Sequence, residues 1–155
     1  MFLFNKKDQV VVKIVENKKE REDAMDVRKQ VFQKDMGIDP ESDFDGKDDR
    51  ADHIIAYVNG KEAGTLRIRY DDDGELGKVA EFERIAVLRK FRGQNIAKQM
   101  IEYMFGYLKS NGTRGVVFKA QEHTKGFYEQ LGFVQQGNAF ADGGVLHVRM
   151  FKVLY

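Results

Sequence analysis

The run Ile85-Ala86-Val87-Leu88-Arg89-Lys90-Phe91-Arg92-Gly93-Gln94-Asn95-Ile96-Ala97 holds the residues best suited to bind a charged ligand. An apolar strand enters a basic, glycine-containing turn that opens onto a long amphipathic helix. The first N–H groups of a helix have no internal partner, so with the helix dipole and nearby arginines they suit a pyrophosphate. An ordinary strand-to-helix connection with solvated arginines has the same spacing, and the run alone leaves both readings open.

Just upstream, Glu81 and Glu83 alternate onto the strand face of Ile85 and Val87, provided no bulge intervenes. Cysteine is absent, which excludes disulfides, thiolate zinc sites and a cysteine nucleophile. His53, His123 and His147 are too scattered to form a metal cluster, so no metal is expected. Residues 39–52 are rich in aspartate and read either as a solvated loop or as a lip attracting a cationic substrate; their spacing is not that of an EF-hand.

The elements that position these groups follow from periodicity. Val10–Val15 is β-branched and reads as a first strand, and Lys19 to about Lys34 repeats Ala24, Val27, Val31 and Phe32 at helical spacing. Gly37 and the single proline, Pro40, end that helix. Asn59-Gly60 between two apolar runs signals a type I′ hairpin. A strand over Val79–Leu88 follows. The helix from about Gln94 presents Ile96, Ala97, Met100, Ile101, Met104, Phe105 and Leu108 as one stripe and stops at Ser110-Asn111-Gly112. Val116–Phe118, a short helix over Thr124–Gln130, a strand starting at Phe133 and an alternating strand over Val145–Val153 complete one α/β domain with helices on both sides of a sheet.

With 155 residues the chain suits one domain, and its formal charge of +1 gives no support for nucleic-acid binding. Met1-Phe2-Leu3-Phe4 is apolar but too short for a signal peptide or a membrane span, so a cytoplasmic setting without membrane attachment is expected.

Arg92-Gly93-Gln94-Asn95-Ile96-Ala97 resembles the Arg/Gln-x-x-Gly-x-Gly/Ala acetyl-CoA motif of the GNAT acyltransferase superfamily, with Asn95 in place of the central glycine. Gly126-Phe127-Tyr128-Glu129-Gln130-Leu131-Gly132-Phe133 is similar to its second signature. Arg28-Lys29-Gln30-Val31-Phe32, Glu83-Arg84-Ile85-Ala86-Val87-Leu88 and His147-Val148-Arg149-Met150 resemble the small bacterial YjcF/ElaA-like branch.

The resemblance implies a GNAT acyl-CoA N-acyltransferase fold of the α/β (α+β) kind: a mixed, mostly antiparallel sheet flanked by helices and splayed between strands 4 and 5. It implies acetyl-CoA as cofactor. Main chain at Ile85, Ala86 and Val87 would pair with the pantetheine, the amides of Arg92, Gly93, Gln94, Asn95, Ile96 and Ala97 would hold the pyrophosphate, and Phe127 and Tyr128 would lie beside the donor. Arg89, Lys90 and Lys98 would reach the outer phosphates or remain solvated. Tyr128 would protonate the departing thiolate. Glu83, acting through water, or else Glu81, would serve as base, unless they pair with Arg84 or Arg67. His147 and Asp142 match a pattern near the end of the branch that hints at the substrate pocket.

The expected activity is direct acetyl transfer to an amine of a small molecule or a protein amino group, with a homodimer through the last strands as a family-level expectation. Asn95 keeps open a non-catalytic acyl-CoA-binding or interaction module. Acyl-homoserine-lactone synthesis shares the fold but lacks the Arg-x-x-Gly-x-Ala turn.

Overall fold

The computed structural model describes residues 8–155, so the apolar Met1–Phe4 run lies outside the described residues. Among the described residues seven strands form one mixed sheet in the order β1-β2-β3-β4-β5-β7-β6, and the chain gathers into two compact units. One comprises the chain up to Arg67 with Arg84–Met104, and the other comprises Ile68–Glu83 with Phe105–Tyr155.

In the first unit, β1 (Val10–Ile14) pairs antiparallel with β2 (Asp52–Val58), from Val10 opposite Val58 to Ile14 opposite Ile54. β2 turns into β3 (Lys61–Asp73) through Asn59 and Gly60, whose φ values of 50° and 80° are those of the expected type I′ turn. Helix α1 (Lys18–Arg28) starts where the Asn17 side chain accepts the Glu20 N–H. Its buried face carries Ala24, Val27 and Arg28. The helix expected to run to Lys34 does so with a change of winding, because Lys29–Asp35 is π-helical. Val27 and Val31 pack with Ala86 and Leu88, and Phe32 and Phe91 close over them.

Pro40 has a role different from the expected one. It begins a short helix, α2 (Pro40–Asp43), at a position where a missing N–H costs nothing, with Asp39 as its cap. Strand β4 (Gly77–Val87) and α3 (Ile96–Ser110) follow. Gly64 in β3 lets α3 approach closely. A Cβ there would lie 3.0 Å from Met100 Cε, 3.1 Å from Ile96 Cγ2 and 3.2 Å from Ala86 O.

In the second unit, β4 pairs in parallel with β5 (Gly115–Gln121) at Val79, Ala80 and Glu81 opposite Gly115, Val116 and Val117. A 3₁₀ turn at Glu122–Thr124 leads into α4 (Lys125–Gln130). The chain ends in the hairpin of β6 (Val134–Asp142) and β7 (Val145–Val153), and β7 pairs antiparallel with β5. The rings of Phe82, Phe105, Phe118, Tyr128 and Phe133 form an aromatic core.

Candidate functional site

The turn before α3 has the geometry that a phosphate cradle requires. The first main-chain bond at the head of α3 runs from Gln99 N–H to Asn95 O at 3.0 Å. Among the described residues, the N–H groups of Gly93, Gln94, Asn95, Ile96, Ala97 and Lys98 reach no protein acceptor. Gly93 and Asn95 hold φ values of 81° and 60°, so Asn95 occupies the left-handed conformation that asparagine tolerates best after glycine.

Gly93, Gln94 and Asn95 are exposed, whereas the Ile96 side chain is buried in the core, leaving only its N–H for a ligand. Ala97 is half-buried. Arg92 reaches back, its Nε donating to Val87 O at 3.0 Å, and this fixes the turn to the strand that feeds it. Arg89 and Lys90 are exposed, while Lys98 lies 3.9 Å from Glu102.

The three strand residues expected to meet a pantetheine do not present their main chain alike. Leu88 N–H donates to Ala63 O in β3 at 2.8 Å. Alternation then directs the polar groups of Ala86 toward β3 and those of Ile85 and Val87 away from it. Ile85 and Val87 are therefore the better placed pair.

The condition attached to the glutamates is not met. Arg84 has a φ of 53° inside β4, so simple two-residue alternation cannot be carried from Glu81 and Glu83 through to Ile85 and Val87. Glu83 Oε1 lies 2.5 Å from Arg69 Nε, a partner other than the Arg84 or Arg67 expected. Glu81 is half-buried and has no side-chain partner among the described residues.

Tyr128 is half-buried, edge-on to Phe118 at 4.3 Å and to Phe127 at 5.0 Å, and Phe127 itself is 39% exposed. Burial raises the Tyr128 hydroxyl above its ordinary value, so it remains protonated. It makes no hydrogen bond among the described residues, leaving a proton to give.

The acidic segment is not simply a solvated lip. Asp43 and Asp48 are buried, and with half-buried Asp45 they turn inward onto arginines. Arg28 contacts Asp43 at 2.9 Å and Asp48 at 2.6 Å; Arg67 contacts Asp45 at 2.8 Å and Asp48 at 3.0 Å. Arg84 Nη2 donates to Ser42 O at 3.1 Å and to Asp45 at 3.3 Å. Sequence reasoning missed this network. Its available signal was Arg28, which lies on the apolar face of a helix.

The histidines are apart, and no group of metal-ligating side chains occurs among the described residues. His53 is buried, its Nε2 3.0 Å from Asp48 O; His123 is exposed in the 3₁₀ turn. His147 is half-buried beside Phe140, and Asp142 forms an ion pair with Lys119. Among the described residues, no helix is long and apolar enough to cross a membrane.

Similarity to known proteins agrees with this geometry. The N-acetyltransferase YjcF of Bacillus subtilis, named as uncharacterized, is 29% identical over 140 residues, covering 90% of this chain and 96% of its own. The crystal structure of Escherichia coli ElaA superposes with a TM-score of 0.78 at 22% identity, over 93% of this chain and 99% of that one. An aminoglycoside 6′-N-acetyltransferase complexed with coenzyme A has a TM-score of 0.72 at 12% identity, over 94% and 97% of the two chains. These two structures share its fold, the GNAT acyl-CoA N-acyltransferase fold. The acetyltransferase (GNAT) domain family matches residues 15–154, nearly the whole chain, which therefore belongs to the GNAT acetyltransferase family and is an acyltransferase.

Proposed function

We propose that the protein transfers an acetyl group from acetyl-CoA directly to a primary amine of a small molecule or a protein, with residues 1–155 acting as a single domain. The observation that carries this reading is the open row of N–H groups from Gly93 to Lys98, with Gly93 and Asn95 in left-handed conformations. Such a row fits a diphosphate. Coenzyme A bound in a structure of the same fold supports the choice of donor.

In this reading the amides of Gly93–Ala97 hold the pyrophosphate, the Arg92 N–H being engaged by Arg89 O at 3.2 Å; main chain at Ile85 and Val87, with Ala86 turned to β3, pairs with the pantetheine amides, and Phe127 lies beside the donor. Acetyl-CoA supplies the activated acyl group. Tyr128, held protonated by burial, gives its proton to the departing sulfur. For removal of the amine's proton the resemblance offers Glu83 acting through water, with Glu81 second. The Arg69 contact speaks against Glu83, because it occupies one carboxylate oxygen.

A cytoplasmic homodimer completes the proposal. Exposed Val134 and Leu146 in the last hairpin, at 61% and 49%, support self-association there. Calorimetric titration with acetyl-CoA tests the central point. The expected result is one site per chain, and no heat of binding at millimolar cofactor removes the proposal.

A further inference from the structure

We infer that His147 is the base that takes the proton from the acceptor nitrogen, a role that rests on the acetyl-transfer reading and deepens it. His147 stands three residues after Gly144 of the Gly143-Gly144 turn, and its Nδ1 lies 2.8 Å from Val145 O. A carbonyl oxygen only accepts, so Nδ1 carries the hydrogen. In the neutral ring the lone pair is therefore on Nε2. The ring stacks on Phe140, its cross-strand partner, with centroids 6.1 Å apart and planes inclined by 24°. A fixed tautomer, a fixed plane and a free nitrogen are what a general base needs. Neither glutamate combines them: Glu83 is bound to Arg69, and Glu81 has nothing among the described residues to orient it.

Its position relative to Tyr128 fits the division of labour. Paired residues of an antiparallel ladder share a face, so His147 lies on the face of Gln121, its partner in β5. Tyr128 contacts Phe118, three residues earlier in β5 and hence on the opposite face. The attacking nitrogen and the leaving sulfur are different substituents of one carbon, so the groups serving them approach from different sides.

The step balances. The neutral amine's lone pair forms the C–N bond, the C–S bond breaks, and its electron pair leaves on sulfur. Nitrogen's proton passes to His147 Nε2, and sulfur takes one from the Tyr128 hydroxyl. Exchange with solvent restores both side chains, so the products are an amide and a thiol.

The charged groups sharing that face are Glu81 and Glu83 from β4, Lys119 from β5, Asp142 from β6 and Arg149 from β7. Asp142 faces His147 but is already paired with Lys119.

The test is thiol release from acetyl-CoA with ethanolamine, spermidine and Nα-acetyl-lysine as acceptors, read from pH 5.5 to 9 as the ratio of wild-type to variant kcat/KM, in which the acceptors' own loss of the ammonium proton cancels. His147→Asn keeps a donor for Val145 O but removes Nε2, and His147→Phe keeps only the stacking. Both variants should lose about 10²-fold in kcat, and the ratio should rise with pH, with coenzyme A affinity and melting temperature unchanged. The same ratio for Glu83→Gln and Glu81→Gln should stay flat. An active wild type with a pH-independent ratio in both His147 variants overturns the inference and leaves acetyl transfer standing. A wild type that releases thiol with none of the three amines overturns both.

Discussion

Arg28 Nη1 donates to Asp48 Oδ1 at 2.6 Å from a side chain with no exposed surface. The same guanidinium reaches Asp43, whose side chain is equally closed to water. A residue of α1 thus fastens both ends of the segment between Pro40 and Arg50. Removing it would leave the dry Asp43 carboxylate without this guanidinium and Asp48 with Arg67 alone, which costs more than the pair contributes.

Arg28→Ala is therefore expected to lose about 3–5 kcal/mol of unfolding free energy in urea titration. Arg28→Lys should recover only part of that, because one ammonium cannot reproduce the planar fork. An alanine variant within about 1 kcal/mol of wild type would mean that the segment is held by something else.

The same region sets the acid limit of stability. Burial holds His53 below its ordinary value despite the contact with Asp48 O. Burial raises Asp48, but hydrogen bonds from Arg28 and then Arg67 outweigh it and leave that carboxyl low; the Arg67 hydrogen bond holds Asp45 well below the carboxylate range. For His53 the unfolded chain binds the extra proton first, so stability falls as pH drops below about 6.5, by at most about 1.4 kcal/mol per pH unit. The aspartates contribute stability above their unfolded value near 3.9, and it is lost only as pH falls toward their lower folded values. Unfolding free energy should therefore decline in two stages. His53→Gln, which retains a donor for Asp48 O, should abolish the first stage alone. Persistence of that stage in the variant would assign it to another group.

Most of the frame was readable because it rests on local rules. Asn59-Gly60 dictated its turn, and the 3.6-residue spacing from Ile96 to Leu108 marked α3. What escaped was set by partners distant in sequence. Asp43, Asp45 and Asp48 look like solvent-facing charge until Arg28 and Arg67 are found beneath them, 15 to 22 residues away. Arg84 was equally hidden. A left-handed arginine inside a strand is stabilised by contacts with Ser42 and Asp45 that no local propensity encodes. At the candidate site, residue types indicated the open amides, whereas the Arg69–Glu83 pair depended on cross-strand register.

Asn95 tests the cofactor turn directly. Its φ of 60° is accessible to asparagine and free for glycine, but costs alanine about 1–2 kcal/mol. Because the residue is exposed, little else changes with it. Asn95→Gly should bind acetyl-CoA at least as tightly as wild type. Asn95→Ala should bind more weakly by about 5- to 30-fold if the strain falls on the binding-competent turn. Calorimetry on the three proteins decides, and equal affinities would show that the turn does not need the left-handed conformation.

Tyr128 separates binding from chemistry. Its ring is held by Phe118 and Phe127, and its hydroxyl makes no hydrogen bond among the described residues. Tyr128→Phe thus keeps the packing and removes only a proton. Melting should shift little, since no hydrogen bond within the protein is broken. Coenzyme A affinity should stay within about twofold, because the phosphate and pantetheine contacts lie on other residues. Turnover should fall by about 10²-fold, the ordinary worth of a positioned acid, and the decrease should appear in kcat and kcat/KM alike. Single-turnover measurements guard against a product-release limit. A variant that matches wild type in the chemical step would leave sulfur to take its proton from solvent, and Tyr128 would then be part of the aromatic core alone.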